Sequence, residues 1–161
     1  MSTRLKKEIE IQLAELRRLI ETYDELLGKE YQGDPGDVVT IALAAILHSF
    51  YTGIEGIFKR IAKRIDESLP KTEDYHARLL ETMTRPGSRR PPVISEPLSR
   101  TLHQYMNFRH MFRHAYANYL VWDRMEPLVH ECKNTFHQFE TELMNFLEKI
   151  ETPEQYPNNS M

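Results

Sequence analysis

Arg109, His110, Arg113 and His114 fall within six consecutive positions, and Tyr116 follows two residues later. An imidazole, with an ordinary pKa of about 6.5, can take or give a proton near neutrality. A guanidinium presents a planar fork that grips two phosphate oxygens and stays charged throughout. Together they provide a base for a 2′-hydroxyl, an acid for a leaving 5′-oxygen and a cation for the charge that develops on phosphorus. These are the parts needed to cleave RNA without a metal.

Such groups need a rigid support, and the spacing around them predicts a helix from Ser95-Glu96-Pro97 to about Trp122. On a wheel of about 100° per residue, Thr101, Phe108, Met111, Phe112, Ala115, Tyr119 and Trp122 share one arc, which must face the protein interior. Arg109, His110, Arg113, His114 and Tyr116 share another arc with Leu102, Met106, Leu120 and Val121. A merely solvated face would not carry that apolar set, so it predicts a second buried surface against another copy of the chain. Arg109 and His114 are five positions apart, offset by about 140° and about 7.5 Å on a straight helix. Two copies facing across a two-fold axis would pool both pairs in one cleft.

The rest of the chain reads as helices too, because its 6 Gly and 9 Pro cluster between apolar-periodic stretches. A first helix is expected over about 3–28, with Leu5, Ile9, Leu13, Leu16, Ile20 and Leu27 on its apolar stripe. Asp34-Pro35-Gly36-Asp37 supplies turn and cap chemistry for a second helix to about Leu69, the most buried one. Gly53 and Gly56 within it fit the close approach of a neighbouring helix. A short helix over 72–84 precedes the proline-rich run RPGSRRPPVISEP, an exposed connector. The last helix starts at Asp123, spaced from Glu126 like a capping box, and ends near Ile150. The expected fold is all-α: an antiparallel bundle of four or five helices in one domain over 1–151, with a C-terminal tail at 152–161.

Composition narrows the class. The 161 residues are 40% hydrophobic and 28% charged, which suits one domain. Cys132 is the sole cysteine, so no intramolecular disulfide or Cys-based metal cage is available, and a cytoplasmic setting is expected. The most apolar run, 38–54, is interrupted by Thr40, His48, Ser49 and Thr52 and reads as a buried helix; no membrane partner is expected. Net charge is −3, but residues 85–124 hold seven Arg and only Glu96 and Asp123 as acids, a local balance of +5.

The run Arg109-His110-Met111-Phe112-Arg113-His114-Ala115-Tyr116 satisfies R-x4-H-x-Y, late in an all-α chain. It resembles the HEPN superfamily and, within it, the HepT-like ribonuclease toxins; the longer string NFRHMFRHAYANYLVWDRMEPLV, residues 107–129, is similar to one HepT-like branch. The resemblance implies a HEPN-like bundle that dimerises through the motif helix, with Arg109 and His114 as the catalytic pair of a metal-independent endoribonuclease. His110 and Arg113 would line the site or bind phosphate. Tyr116 matches the tyrosine that a cognate nucleotidyltransferase antitoxin AMPylates; a bulky anion there would block the cleft. The implied partners are RNA, a second copy and that nucleotidyltransferase, with no cofactor and no metal. The alternative is a non-catalytic HEPN-type module that binds a nucleotidyltransferase or a nucleotide and regulates its partner.

Outside the motif the bland readings prevail. His103, His110 and His114 recur at metal-binding intervals but have no carboxylate partner on their helix, and the nearby arginines would repel a cation. His48 reads as a satisfied core histidine and Cys132 as part of the core stripe. Glu55, on the second helix, is a candidate polar contributor to the cleft.

Overall fold

The computed structural model describes residues 1–114 and 120–151, and among these it is all-helical, with six α-helices and no strand. Helix α1 (Thr3–Thr22) starts at Ser2, whose hydroxyl accepts the Leu5 N–H at 3.2 Å, and buries Leu5, Ile9, Leu13, Leu16 and Ile20. The expected continuation to Gly28 is interrupted at Tyr23 (φ −107°, ψ 24°), where a short α2 (Asp24–Gly28) begins. The break lets α2 turn onto the C-terminal helix, with Asp24 bonded to Lys133 at 2.6 Å and Leu27 buried.

Helix α3 (Asp37–Ile61) is the central element. Its N-terminus is set by Gly36, at φ +93°, whose N–H donates to Asp34 Oδ1 at 2.8 Å. Leu43, Leu47, Phe50, Ile54, Ile57, Phe58 and Ile61 are fully buried, and each such side chain contributes about 1.5–3 kcal/mol. A Cβ on Gly53 would lie 2.5 Å from Leu16 Cδ2, so glycine there lets α1 approach, as its position in the sequence suggests. The stretch Asp37–Asp66 is by length and composition apolar enough to cross a membrane. Its large apolar residues from Leu43 to Ile65 are covered instead by α1 and the later helices, whereas Val38 and Ile41 near its start stay exposed. It ends in a π-helical turn (Ala62–Asp66) closed by Glu67 at φ +55°, three residues before the expected end at Leu69.

Helix α4 (Tyr75–Thr82) is short and buries Leu79 and Leu80. The proline-rich connector that follows is exposed at Arg85, Pro86, Ser88, Arg89 and Pro92, as its composition suggests, but its centre is not. Arg90, Val93 and Ile94 are 1%, 2% and 3% exposed. Proline density does exclude helix, but it also leaves backbone carbonyls without partners, and the Arg90 guanidinium satisfies them. It donates to the carbonyls of Thr82, Arg85 and Pro91 and to both oxygens of Asp66, while Val93 and Ile94 donate to the Met83 carbonyl.

Helix α5 (Glu96–His114) and helix α6 (Trp122–Glu151) complete the bundle. Trp122 opens α6 rather than closing the preceding helix; its ring meets Tyr31 edge-on at 5.0 Å, and Leu120 and Val121 before it are not helical. Along α6 the stripe Leu128, Cys132, Phe136, Phe139, Leu143 and Phe146 is buried as its spacing predicts, with Ile150 partly so. The expected tail, 152–161, lies outside the described residues.

On α5, the interior takes Leu98, Leu102, Tyr105, Met106, Phe108 and Arg109. Leu102, Met106 and Arg109 were expected to face a second copy, and here they are buried within the chain. The reason is α4, which folds back over α5 while α3 supports it from below. Leu102 and Met106 therefore give no independent reason for a second subunit, whereas Val121 of the same arc stays exposed.

Candidate functional site

A cleft of about 350 Å³ opens between α4 and α5. His76 lines it from α4; Arg109, His110, Arg113 and His114 line it from α5; Glu73 and Asp74 stand at its edge. The four candidate residues of α5 that the structure describes thus share one cavity within a single protomer. The helical offset between Arg109 and His114 does not part them, because the cleft wraps the last turns of the helix. Tyr116 lies outside the described residues.

Arg109 is the buried member, at 6% exposure. Its Nη2 donates to Glu55 Oε2 at 3.0 Å, its Nη1 donates to Thr52 Oγ1 at 3.3 Å, and its Cζ lies 5.1 Å from the Tyr51 ring centre. Among the described residues its Nε–H has no acceptor, so a five-donor group retains unused N–H capacity beside the cleft. Glu55 is 2% exposed and serves three cationic or potentially cationic groups: Arg109, His76 through Nδ1 at 2.8 Å, and Lys59 at 3.4 Å. Burial pushes its carboxyl up, but the hydrogen bonds from His76 and Arg109 outweigh burial and hold it below the usual carboxylate range.

The other motif residues are exposed. The rings of His110 and His114, one turn apart, lie 4.5 Å from each other. Arg113 and His114 occupy the last turn of α5, where the helix dipole favours positive charge. The seven arginines of the basic segment are less free than their count suggests. Arg85 pairs with Glu81, Arg89 with Glu67, Arg90 with Asp66, Arg100 with Glu96 and Arg109 with Glu55. Among the described residues, Arg113 and Arg124 are the two without an acidic partner, and only Arg113 lines the cleft.

Sequence reasoning singled out Glu55 but missed His76, Thr52 and Tyr51. No local signal marks His76, which lies 33 residues before Arg109 and reaches it only through folding. His48 also differs from expectation: it is partly exposed, its ring 5.5 Å from Phe112, beside a groove with Ser49 and Thr52. Burial, then the charges of Arg109 and Arg113, lower its pKa. Cys132 is buried and its thiol pushed up to about 12, as suits a core residue. His103 is exposed, with Asn107 at 3.2 Å, and among the described residues no group of three His, Cys, Asp or Glu is placed to hold a metal ion.

A family model described as HepT-like protein matches residues 42–150. Comparisons with curated proteins and with solved structures return no match.

Proposed function

The chain belongs to the HepT-like protein family, and from that premise we propose that it is a metal-independent endoribonuclease, the toxin of a pair whose antitoxin is a nucleotidyltransferase. One observation carries the reading: Arg109, His110, Arg113 and His114 line a single cleft that His76 closes from the other side. In this reading Arg109 and His114 are catalytic. The guanidinium stabilises the charge on phosphorus, and the exposed imidazole protonates the leaving 5′-oxygen. Arg113, exposed and without an acidic partner among the described residues, holds a flanking phosphate, and His110 lines the site.

The active form is a homodimer. Val38 and Ile41, one turn apart on α3, are 83% and 43% exposed, and Val121 before α6 is 48% exposed, apolar side chains that a second copy would cover. Tyr116, two residues beyond His114 in sequence, is the AMPylation target through which the antitoxin silences the cleft.

The test is direct. Purified protein cuts single-stranded RNA in EDTA and leaves cyclic-phosphate ends, while His114→Ala and Arg109→Ala, folded by thermal unfolding, do not. Equal activity in all three proteins, or loss of activity on chelation, removes the reading. Co-expression with a neighbouring nucleotidyltransferase relieves growth arrest by the wild type but not by Tyr116→Phe; relief of both discards the modification. A second reading, a non-catalytic module that regulates its nucleotidyltransferase, draws on the burial of Arg109 against Glu55, which suits a structural cation. Absence of RNA cleavage with retained binding of the partner would favour it.

A further inference from the structure

We infer that His76 is the proton acceptor of this cleft and that Glu55 holds its ring in the productive orientation. The inference rests on the ribonuclease reading and adds a second histidine, from a different helix, to the α5 pair.

The geometry is that of an oriented base. His76 Nδ1 lies 2.8 and 2.9 Å from the two oxygens of Glu55. A carboxylate facing Nδ1 makes it the protonated nitrogen, which leaves the lone pair on Nε2, across the ring. The side chain is 40% exposed and lines the cleft, so that lone pair is open to a bound molecule. Glu55 does not need His76 as a counter-ion, because Arg109 and Lys59 already neutralise it at 3.0 and 3.4 Å. The imidazole therefore has a buried carboxylate behind Nδ1 and open space beside the rest of its ring. Arg109 Nη2 lies 3.2 Å from Nδ1, and because both are donors in this tautomer, they meet by sharing Glu55 as acceptor, Arg109 at 3.0 Å, not by bonding to each other.

The step balances without an outside reagent. The 2′-hydroxyl proton moves to His76 Nε2 as the 2′-oxygen bonds to phosphorus. The bond from phosphorus to the 5′-oxygen breaks, and that oxygen takes a proton from the His114 imidazolium. Products are a 2′,3′-cyclic phosphate and a 5′-hydroxyl, and water returns both histidines to their starting states. The groups that set the protonation of His76 are Glu55 and Lys59 from α3, with Tyr75 beside it at 5.0 Å between rings. Across the cleft stand Arg109, His110, Arg113 and His114, with Glu73 and Asp74 at its edge.

The decisive variant is His76→Asn, whose side-chain amide can still donate to Glu55 from the Nδ1 position but cannot take a proton. Cleavage of single-stranded RNA by wild type, His76→Asn, His76→Ala and His114→Ala is followed from pH 5 to 8, with thermal unfolding as the check on folding. His76→Asn should lose about 100- to 10,000-fold in kcat and lose the rise in rate with pH that the base imposes. A substrate with sulfur in place of the bridging 5′-oxygen, whose leaving group needs no acid, should restore His114→Ala but not His76→Asn. Activity of His76→Asn within threefold of wild type, or its rescue by the sulfur substrate, overturns the inference while leaving the ribonuclease reading intact. No cleavage by the wild type removes both.

Discussion

Two buried arginines in this protein face carboxylates, and they serve opposite ends. Arg90, in the connector, uses all five of its N–H donors, on both oxygens of Asp66 and on three backbone carbonyls. Nothing remains for a ligand, and the groups around it are main chain. Arg109 is held by Glu55 and Thr52 over the Tyr51 ring, keeps donors unused among the described residues, and lies with His76, His110, His114 and Arg113 around open space. A buried ion pair is thus no sign of a site in itself. The distinguishing mark is donor capacity left over, next to titratable groups that solvent can reach.

The contrast can be broken by experiment, first where the effect is largest. Asp66→Ala leaves a saturated guanidinium without its anion and should destabilise the fold by about 3–5 kcal/mol, a fall on the order of 10 °C in Tm, while RNA cleavage per folded molecule stays unchanged. Loss of cleavage without loss of Tm would reverse the assignment of the two arginines. Glu55→Gln preserves volume and an acceptor, so it should cost less stability, about 1–3 kcal/mol, yet remove most of the RNA cleavage. Calorimetry and the cleavage assay on the same preparations separate the pair.

Acid sharpens the comparison further. The carboxyl of Glu55 titrates below its ordinary 4.5 in the folded protein. Its contribution to stability is therefore fully present above about pH 4.5 and is lost as pH falls through the lowered folded value. In Glu55→Gln that part of the acid-induced loss should vanish, which urea titrations at pH 3 to 6 would show. The smallest effect is expected at Arg113, whose side chain is exposed and, among the described residues, without an acidic partner. Arg113→Ala should leave stability within about 0.5 kcal/mol of wild type. It should weaken RNA binding for all sequences alike and reduce the salt slope by about 1; an unchanged slope would place the phosphate contact elsewhere.

How legible was this arrangement beforehand? The motif residues and the helix that bears them could be read directly, because Arg109, His110, Arg113 and His114 are close in sequence and a helical repeat keeps them together. Glu55 was visible as a carboxylate on an apolar helix. His76 was not, since an isolated histidine on an eight-residue helix carries no periodic signal. The connector misled for a related reason: proline content reports the absence of helix, not exposure, and only a cation inserted among its carbonyls allows Arg90, Val93 and Ile94 to be buried. The wheel correctly sorted Leu102 and Met106 as apolar but assigned their cover to a second copy, when α4 of the same chain supplies it.

The amino-acid order by itself determined the helical class, most of the core stripes and the local cluster of cations and imidazoles, because these depend on residues three or four positions apart and on short-range backbone preferences. Tertiary structure alone decided which arginine is saturated and which keeps free donors, and which histidine meets Glu55. Those outcomes depend on contacts between residues tens of positions apart, such as Glu55 with His76 and Arg109. Burial of a charge is tolerated only where partners from separate helices arrive together, and no local pattern encodes that meeting.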